Sequence, residues 1–297
     1  MKVFVTGAGG LLGHRVAHAL VRKGHKVLLT SREKIVADAP APVEKCDLTD
    51  ITQVRDLVGI FGPDAIVHCA GLADADSCHE DRGRAWTQNV GMTAHLAYAI
   101  TKRDCHLITV STDHVFEGTK GPYAEDDIAG AINEYGLSKM GAERTTAKLT
   151  RTWSIARTAV LLGWPTRGRS NFGAWLLGEL AAKKPVRLFE DQLITPSLAS
   201  HVASQLVELV ERRLTGKWHL CGAETMDRMA FGRALCEVFG FQSTLLDVGS
   251  AKKGEGFASR RPLRAGLRSD KAARELEAKP LTLQQTLEGL RAEYERR

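Results

Sequence analysis

No stretch of the 297 residues keeps apolar side chains together for the about 18 positions that a membrane-spanning helix requires, so no membrane partner is expected. The start, MKVFVTGAGG, enters a strand-like pattern at its second residue, which leaves no room for a secretory signal. Six cysteines (Cys46, Cys69, Cys78, Cys105, Cys221 and Cys236) are scattered along the chain, and none stands in a C-x-x-C pair. In a chain of this size they read as free thiols of a reducing compartment, so a cytoplasmic location is expected. Internal repeats and low-complexity segments are missing too, which sets aside repeat architectures.

What is present is ordinary for a globular protein: 43% hydrophobic and 26% charged residues, in a length sufficient for one large α/β unit or two modest domains. The formal charge of +6 is modest, and much of it lies from Lys252 to Arg297, where 12 Lys/Arg face 7 Asp/Glu. Acidic residues are interleaved through that tail and few aromatics accompany it, so no nucleic-acid partner is expected. An anionic small ligand, or plain solubility, accounts for the charge.

Short apolar runs alternate with amphipathic stretches through the first half, the pattern of βαβ units and a parallel sheet. Strands are expected at KVFVT (2–6), KVLLT (26–30), AIVHCA (65–70), HLITVS (106–111) and WSIART (153–158). Helices are expected at Leu11–Lys23, Ile51–Phe61, Arg82–Lys102 and Tyr135–Lys148. After about residue 160 the order loosens, with helices at Ala174–Lys183, His201–Arg213, Asp227–Phe239 and from Leu283, and a strand at KWHLCG. The expected fold is α/β: a Rossmann-type doubly wound parallel sheet over 1–160, with a smaller, mainly C-terminal α+β substrate lobe over 161–297. Helix 201–213 is expected to return to the first domain.

KVFVTGAGGLLG places Gly7, Gly10 and Gly13 directly after a strand and at the start of a helix. The first glycine permits a tight turn, the second lets backbone approach a pyrophosphate, and the third lets helix and strand pack closely. Phosphates would then rest on the amides that open the helix at Leu11 and Leu12. At the end of the second strand an acidic residue would hold the 2′-hydroxyl of NAD, but Ser31 and Arg32 stand there instead. A guanidinium suits a 2′-phosphate, which favours NADPH, with NADH as the alternative. In CDLTD, Asp47 and Leu48 either flank an adenine or Asp47 caps the helix that starts near Asp50.

NEYGLSKMGAE sets Tyr135 and Lys139 four residues apart, on one helical face. A nearby ammonium favours the phenolate and brings a tyrosine into the range where it can move a proton at neutral pH. Upstream, STDHVFEG ends a strand, and Thr112, with Ser111 as second candidate, can donate a hydrogen bond to a substrate carbonyl there.

Together with QNVGMTAHLA, STDHVFEGTKGPYAEDD, RTAVLLG, SNF, DQLITPS and GKWHLCGAETMDRMAFGRAL, these motifs resemble the extended short-chain dehydrogenase/reductases, and among them the dTDP-4-dehydrorhamnose reductase family. The resemblance runs over nearly the whole length. It implies a Thr112–Tyr135–Lys139 catalytic triad, Asn89 on a helix near the active site, and Asn171, Phe172 and Gln192 towards a nucleotide sugar. It implies NADPH-dependent reduction of the C4 carbonyl of a nucleotide-linked 4-keto-6-deoxysugar, with a homodimer as a family arrangement. Arg167, Arg169 and Lys183 are candidates for the diphosphate. An NAD-dependent epimerase and a non-catalytic subunit like the regulatory beta subunit of methionine adenosyltransferase are the alternatives. His114 replaces the family's tyrosine in STDYVFDG, and a packing or solvent role is expected for it rather than titration near the site. Related 4,6-dehydratases carry Thr-Asp-Glu at this point, so His114 argues against dehydration.

HCAGLADADSCHE, residues 68–80, has the composition of a metal site. Neighbours on a strand point to opposite faces, so His68 and Cys69 cannot readily share an ion, and no metal is expected. Cys69, Ala70 and Gly71 stand where the family sets small residues against the cofactor. The loop Leu72–His79 departs from the reductase pattern but keeps Asp76, which the resemblance places towards the substrate.

Overall fold

The structure, a computed structural model, describes residues 1–32, 38–165, 170–253 and 257–296. In chain order the first half runs β1 (Lys2–Thr6), α1 (Leu11–Arg22), β2 (Lys26–Ser31), β3 (Val43–Lys45), α2 (Ile51–Phe61), β4 (Ala65–His68) and α3 (Ala75–Glu80). Then come α4 (Arg82–Trp86), a π turn (Thr87–Gly91), α5 (Met92–Ala99), β5 (His106–Thr112), α6 (Glu134–Leu149) and β6 (Trp153–Thr158). The second half adds β7 (Leu161–Leu162), α7 (Phe172–Ala181), β8 (Val186–Phe189), β9 (Leu193–Ile194), β10 (Ser197–Leu198), α8 (Ala199–Glu211) and β11 (Gly216–His219). It closes with β12 (Met226–Asp227), α9 (Arg228–Phe239), β13 (Leu246–Gly249), α10 (Asp270–Glu275) and α11 (Leu283–Glu295).

Seven strands form one parallel sheet in the order β11-β6-β5-β4-β1-β2-β3. The order reverses between β1 and β4, the crevice where open α/β sheets bind ligands. Alternation along each strand builds two separate cores. Val3, Val5, Val27, Leu29, Ala65, Val67 and Ile108 pack under α1 and α8, while Phe4, Leu28, Ile66 and Leu107 pack under α2 and α5. Each fully buried aliphatic side chain contributes about 1.5–3 kcal/mol, which is why both faces must be covered.

Local chemistry sets the helix ends. Asp50 caps α2, accepting from the amides of Thr52 and Gln53, and Gly62 ends it with φ 60°. The helix cap is therefore Asp50 rather than Asp47, whose carboxylate turns to the amide and hydroxyl of Thr49. The expected single helix over 82–102 is interrupted by the π turn that carries Asn89. A third core, with Leu176, Leu177, Leu180, Val186, Leu188, Phe231, Leu235, Leu287 and Leu290, holds α7, α9, α11 and β8 together beside the sheet.

Candidate active site

The glycine turn is built for close approach. Gly7 has φ 69°, and a Cβ on it would lie 2.7 Å from the Ala70 amide nitrogen; a Cβ on Gly13 would lie 2.3 Å from the Gly7 carbonyl oxygen. Gly10 opens α1 without any side-chain cap, and no acidic residue stands in the first turn, so the amides at Leu11 and Leu12 keep their affinity for an anion. Next to this cradle, Cys69, Ala70 and Gly71 leave the end of β4. Burial pushes the Cys69 thiol up to about 12, so it stays neutral. Thr6 Oγ1 meets His68 Nδ1 at 2.8 Å and accepts from the Ala70 amide at 3.2 Å, which ties β1 to β4 behind the crevice. Ser31 ends β2, and Arg32 follows it exposed to solvent, near enough to Asp47 to lower that carboxyl. Leu48 is buried, its carbonyl facing His95 Nδ1 at 2.9 Å.

Tyr135 and Lys139 lie on one face of α6, whose N-cap is Asn133. Burial pulls Lys139 down from 10.5 to about 8, opposed by the charge of Glu143 one turn further on. Among the described residues no carboxylate lies within bridging distance of the Lys139 ammonium. Burial pushes the Tyr135 phenol up, and Thr112 opposes that shift, which sets the end of β5 near the tyrosine. Thr112 Oγ1 donates to Asp113 Oδ1 at 3.0 Å, and burial raises the Asp113 carboxyl to about 6. Asn89 clamps the Gly71–Leu72 turn: its Oδ1 accepts from the Leu72 amide at 2.8 Å, and its Nδ2 donates to the Leu72 carbonyl at 3.1 Å and to Ser138 Oγ at 2.8 Å. The π turn is the device that aims it there, as such turns often do at functional sites.

Several expected site residues turn elsewhere. Ser111 donates to Glu143 Oε1 at 2.6 Å, inside a buried pair in which Glu143 also accepts twice from Arg157 at 2.8 Å. Its hydroxyl is spent on that pair, whereas the Thr112 hydroxyl, which donates to Asp113 in the free protein, would have to turn from that carboxylate to meet a carbonyl. Asn171 caps α7, accepting from Ala174 and donating to the Gly163 carbonyl, so neither end of its amide is free. Asp76 pairs with Arg261 at 2.9 Å and accepts from the Ser259 amide at 2.8 Å; its carboxylate organises the loop instead of facing out. Lys183 sits just past the end of α7, exposed. Arg167 and Arg169 lie outside the described residues. Among those described, no group of three or more His, Cys, Asp or Glu side chains could hold a metal.

Sequence reasoning missed Arg228. Its guanidinium lies over the Phe172 ring, 4.3 Å from the centroid, and its Nε donates to Gln192 Oε1 at 2.6 Å. It feels the charges of Asp113 and Arg261, yet no carboxylate of the described residues lies within bridging distance. One signal was available: a cation at the first position of a helix opposes the dipole, and such local misfits mark functional positions.

A glycine cradle at a parallel-sheet crossover, with a tyrosine and a lysine one helical turn apart beside a strand-end threonine, defines a nicotinamide-dependent oxidoreductase of the extended short-chain type. The chain belongs to the RmlD substrate binding domain family, matched over residues 1–296. It is similar to a probable low-salt glycan biosynthesis reductase, Agl14, of Haloferax volcanii, with 32% identity over 99% of this chain and 98% of that one. It is 29% identical to methionine adenosyltransferase 2 subunit beta of Rattus norvegicus, over 82% of this chain and 74% of that one. A dTDP-4-dehydrorhamnose reductase from Bacillus anthracis, solved in complex with NADP, has the same fold, with a TM-score of 0.88, 22% identity, and coverage of 98% and 99%.

Proposed function

We propose that the protein reduces the C4 carbonyl of a nucleotide-linked 4-keto-6-deoxysugar with NADPH. The observation that carries the reading is Tyr135 and Lys139 on one face of α6, opposite Thr112 and beside the Gly7–Gly13 cradle. Residues 1–160 would supply the cofactor platform and 161–297 most of the substrate lobe.

The residues fit a dinucleotide. A Cβ at Gly7 would fill the cradle, the first amides of α1 have no competing acid, and Lys139 is buried with no ion-pair partner among the described residues. Gly7, Gly10, Leu11, Leu12 and Gly13 would hold the pyrophosphate, Lys139 the nicotinamide ribose, and Ser31 and Arg32 the 2′-phosphate. NADPH, when bound, supplies the hydride. Thr112 orients the carbonyl, and Tyr135 gives its proton to the oxygen as negative charge develops there. In the free protein burial and the charge of Asp113 raise the phenol, so the Lys139 ammonium would have to act on it in the complex. Arg228, held by Gln192 and Phe172, is the guanidinium for the diphosphate, in place of Lys183.

NADPH oxidation followed with a panel of nucleotide 4-ketosugars tests the reading. Turnover with at least one of them is expected, and Tyr135→Phe should lower it by about a thousandfold or more while NADPH still binds. A protein that oxidises no NADPH with any of them, yet co-purifies with a larger catalytic partner, would instead follow its relative, the adenosyltransferase beta subunit.

A further inference from the structure

His114 stands beside the proton donor, and its hydrogen bonds fix which of its nitrogens carries hydrogen. Its ring meets that of Tyr135 edge-on, with centroids 5.4 Å apart. His114 Nδ1 lies 3.1 Å from Asn133 Nδ2. Two hydrogens sit on an amide nitrogen and none on its oxygen, so the orientation of Asn133 decides the matter. That orientation is set twice by backbone. Asn133 Oδ1 accepts from the Gly136 amide at 2.8 Å as the cap of α6, and Nδ2 donates to the Arg260 carbonyl at 2.8 Å. A backbone N–H can only donate and a carbonyl can only accept, so Asn133 cannot be turned over. Nδ2 therefore donates its second hydrogen to His114, and Nδ1 must be bare. A neutral ring with Nδ1 bare carries its hydrogen on Nε2.

The ring is neutral because burial and the neighbouring charges of Arg261 and Arg228 bring His114 down to about 4. Nε2 makes no hydrogen bond to any described protein group. Buried polar side-chain atoms without a partner are Thr30 Oγ1, His106 Nδ1, Gln205 Oε1, His219 Nε2 and Thr286 Oγ1, and His114 Nε2 is not one of them. With no partner among the described residues and no place among the enclosed orphans, it keeps some accessible surface, on a ring that meets Tyr135 edge-on.

We infer that His114 is a fixed hydrogen-bond donor to the substrate, its Nε2–H reading an acceptor oxygen of the sugar near the reacting carbonyl. This rests on the reductase reading and sharpens it. His114 takes no part in proton transfer; it selects sugars that place an oxygen against it and disfavours analogues that lack one, since a donor left unpaired there loses its hydrogen bond.

Two measurements test this. In protein labelled with 15N-histidine, His114 should show a protonated Nε2 and a bare Nδ1, unchanged between pH 5.5 and 8. A protonated Nδ1, or an imidazolium at pH 7, overturns the inference whatever the substrate is. The second is affinity for dTDP-rhamnose relative to dTDP, with NADPH binding as the check on folding. The sugar's contribution should fall about tenfold in His114→Phe and stay within about threefold of the wild type in His114→Gln, whose amide nitrogen reaches the same place. Asn133→Asp keeps the helix cap but accepts where the amide donated, so it should move the hydrogen to Nδ1 and reproduce the loss seen in His114→Phe. His114→Phe binding dTDP-rhamnose as tightly as the wild type overturns the inference and leaves the reductase reading standing. Absence of NADPH turnover with every nucleotide 4-ketosugar in the wild type overturns that reading instead, and the role of His114 with it.

Discussion

Asp76, on α3, and Arg261 tie the loop that leads from β4 into this helix to the chain beyond β13: Asp76 Oδ2 and Arg261 Nη2 are 2.9 Å apart, and Asp76 Oδ1 accepts from the Ser259 amide at 2.8 Å. The Arg261 guanidinium also lies over the Phe257 ring, 4.5 Å from its centroid. The loop is thus held by contacts across the molecule. Asp76→Asn keeps the shape but removes the charge from a part-buried pair. It should cost about 1–3 kcal/mol in chemical unfolding and raise KM for the nucleotide sugar, with NADPH affinity unchanged. An unaltered KM would detach the loop from the substrate.

Gly7→Ala tests the cradle. Its φ of 69° is strained for any side chain, and the new methyl would meet the Ala70 backbone at 2.7 Å. Stability should fall by at least about 2 kcal/mol, and calorimetric titration should show NADPH binding lost. Gly9, where a Cβ meets nothing within 4 Å, is the control: Gly9→Ala should retain its fold.

Lys139 gives the free protein a pH dependence of defined sign. Its folded pKa is lowered to about 8 from 10.5, so between those values the unfolded chain binds more protons than the folded one. Stability of the free protein should therefore rise through that window, as far as this group contributes. Affinity for NADPH should move the other way, weakening as pH passes about 8 and the ammonium that meets the ribose is lost. Lys139→Met should bind NADPH weakly and without that dependence.

Buried histidines set the acid limit. Burial lowers His68 and His219 to about 3 and His106 and His114 to about 4, all below the ordinary 6.5. Below pH 6.5 the unfolded chain takes up protons that the folded chain refuses, so stability falls on acidification. Asp113, raised to about 6, works against this between pH 6 and 3.8, but it is one group against four. Tm should drop steadily from pH 7 to 5, and a flat profile would mean that these rings are not held neutral.

Much of the frame was legible because it rests on local rules. Short apolar runs marked KVFVT, HLITVS and WSIART, and β1, β5 and β6 fall on those residues to within one position. Gly7 and Gly13 announced themselves because only glycine fits there. Tertiary partners decided what could not be read. Ser111 and Thr112 look alike in sequence, but Glu143, paired with Arg157 from the neighbouring strand, takes the first hydroxyl, while the second turns to Asp113 beside Tyr135. The π turn around Asn89 has no counterpart in helical periodicity. Arg228 reads as one basic residue among many until Phe172 and Gln192, more than 30 residues upstream, are seen to hold it.

The most direct test of the central claim is the fate of deuterium. When [4,4-2H2]NADPH is turned over with a nucleotide 4-ketosugar and the product examined by NMR and mass spectrometry, one deuterium is expected, at C4 of the sugar. Tyr135→Phe run for the same time should form almost no labelled product. An unlabelled product, or label at another carbon, would contradict the claim that Tyr135, Lys139 and Thr112 reduce that carbonyl.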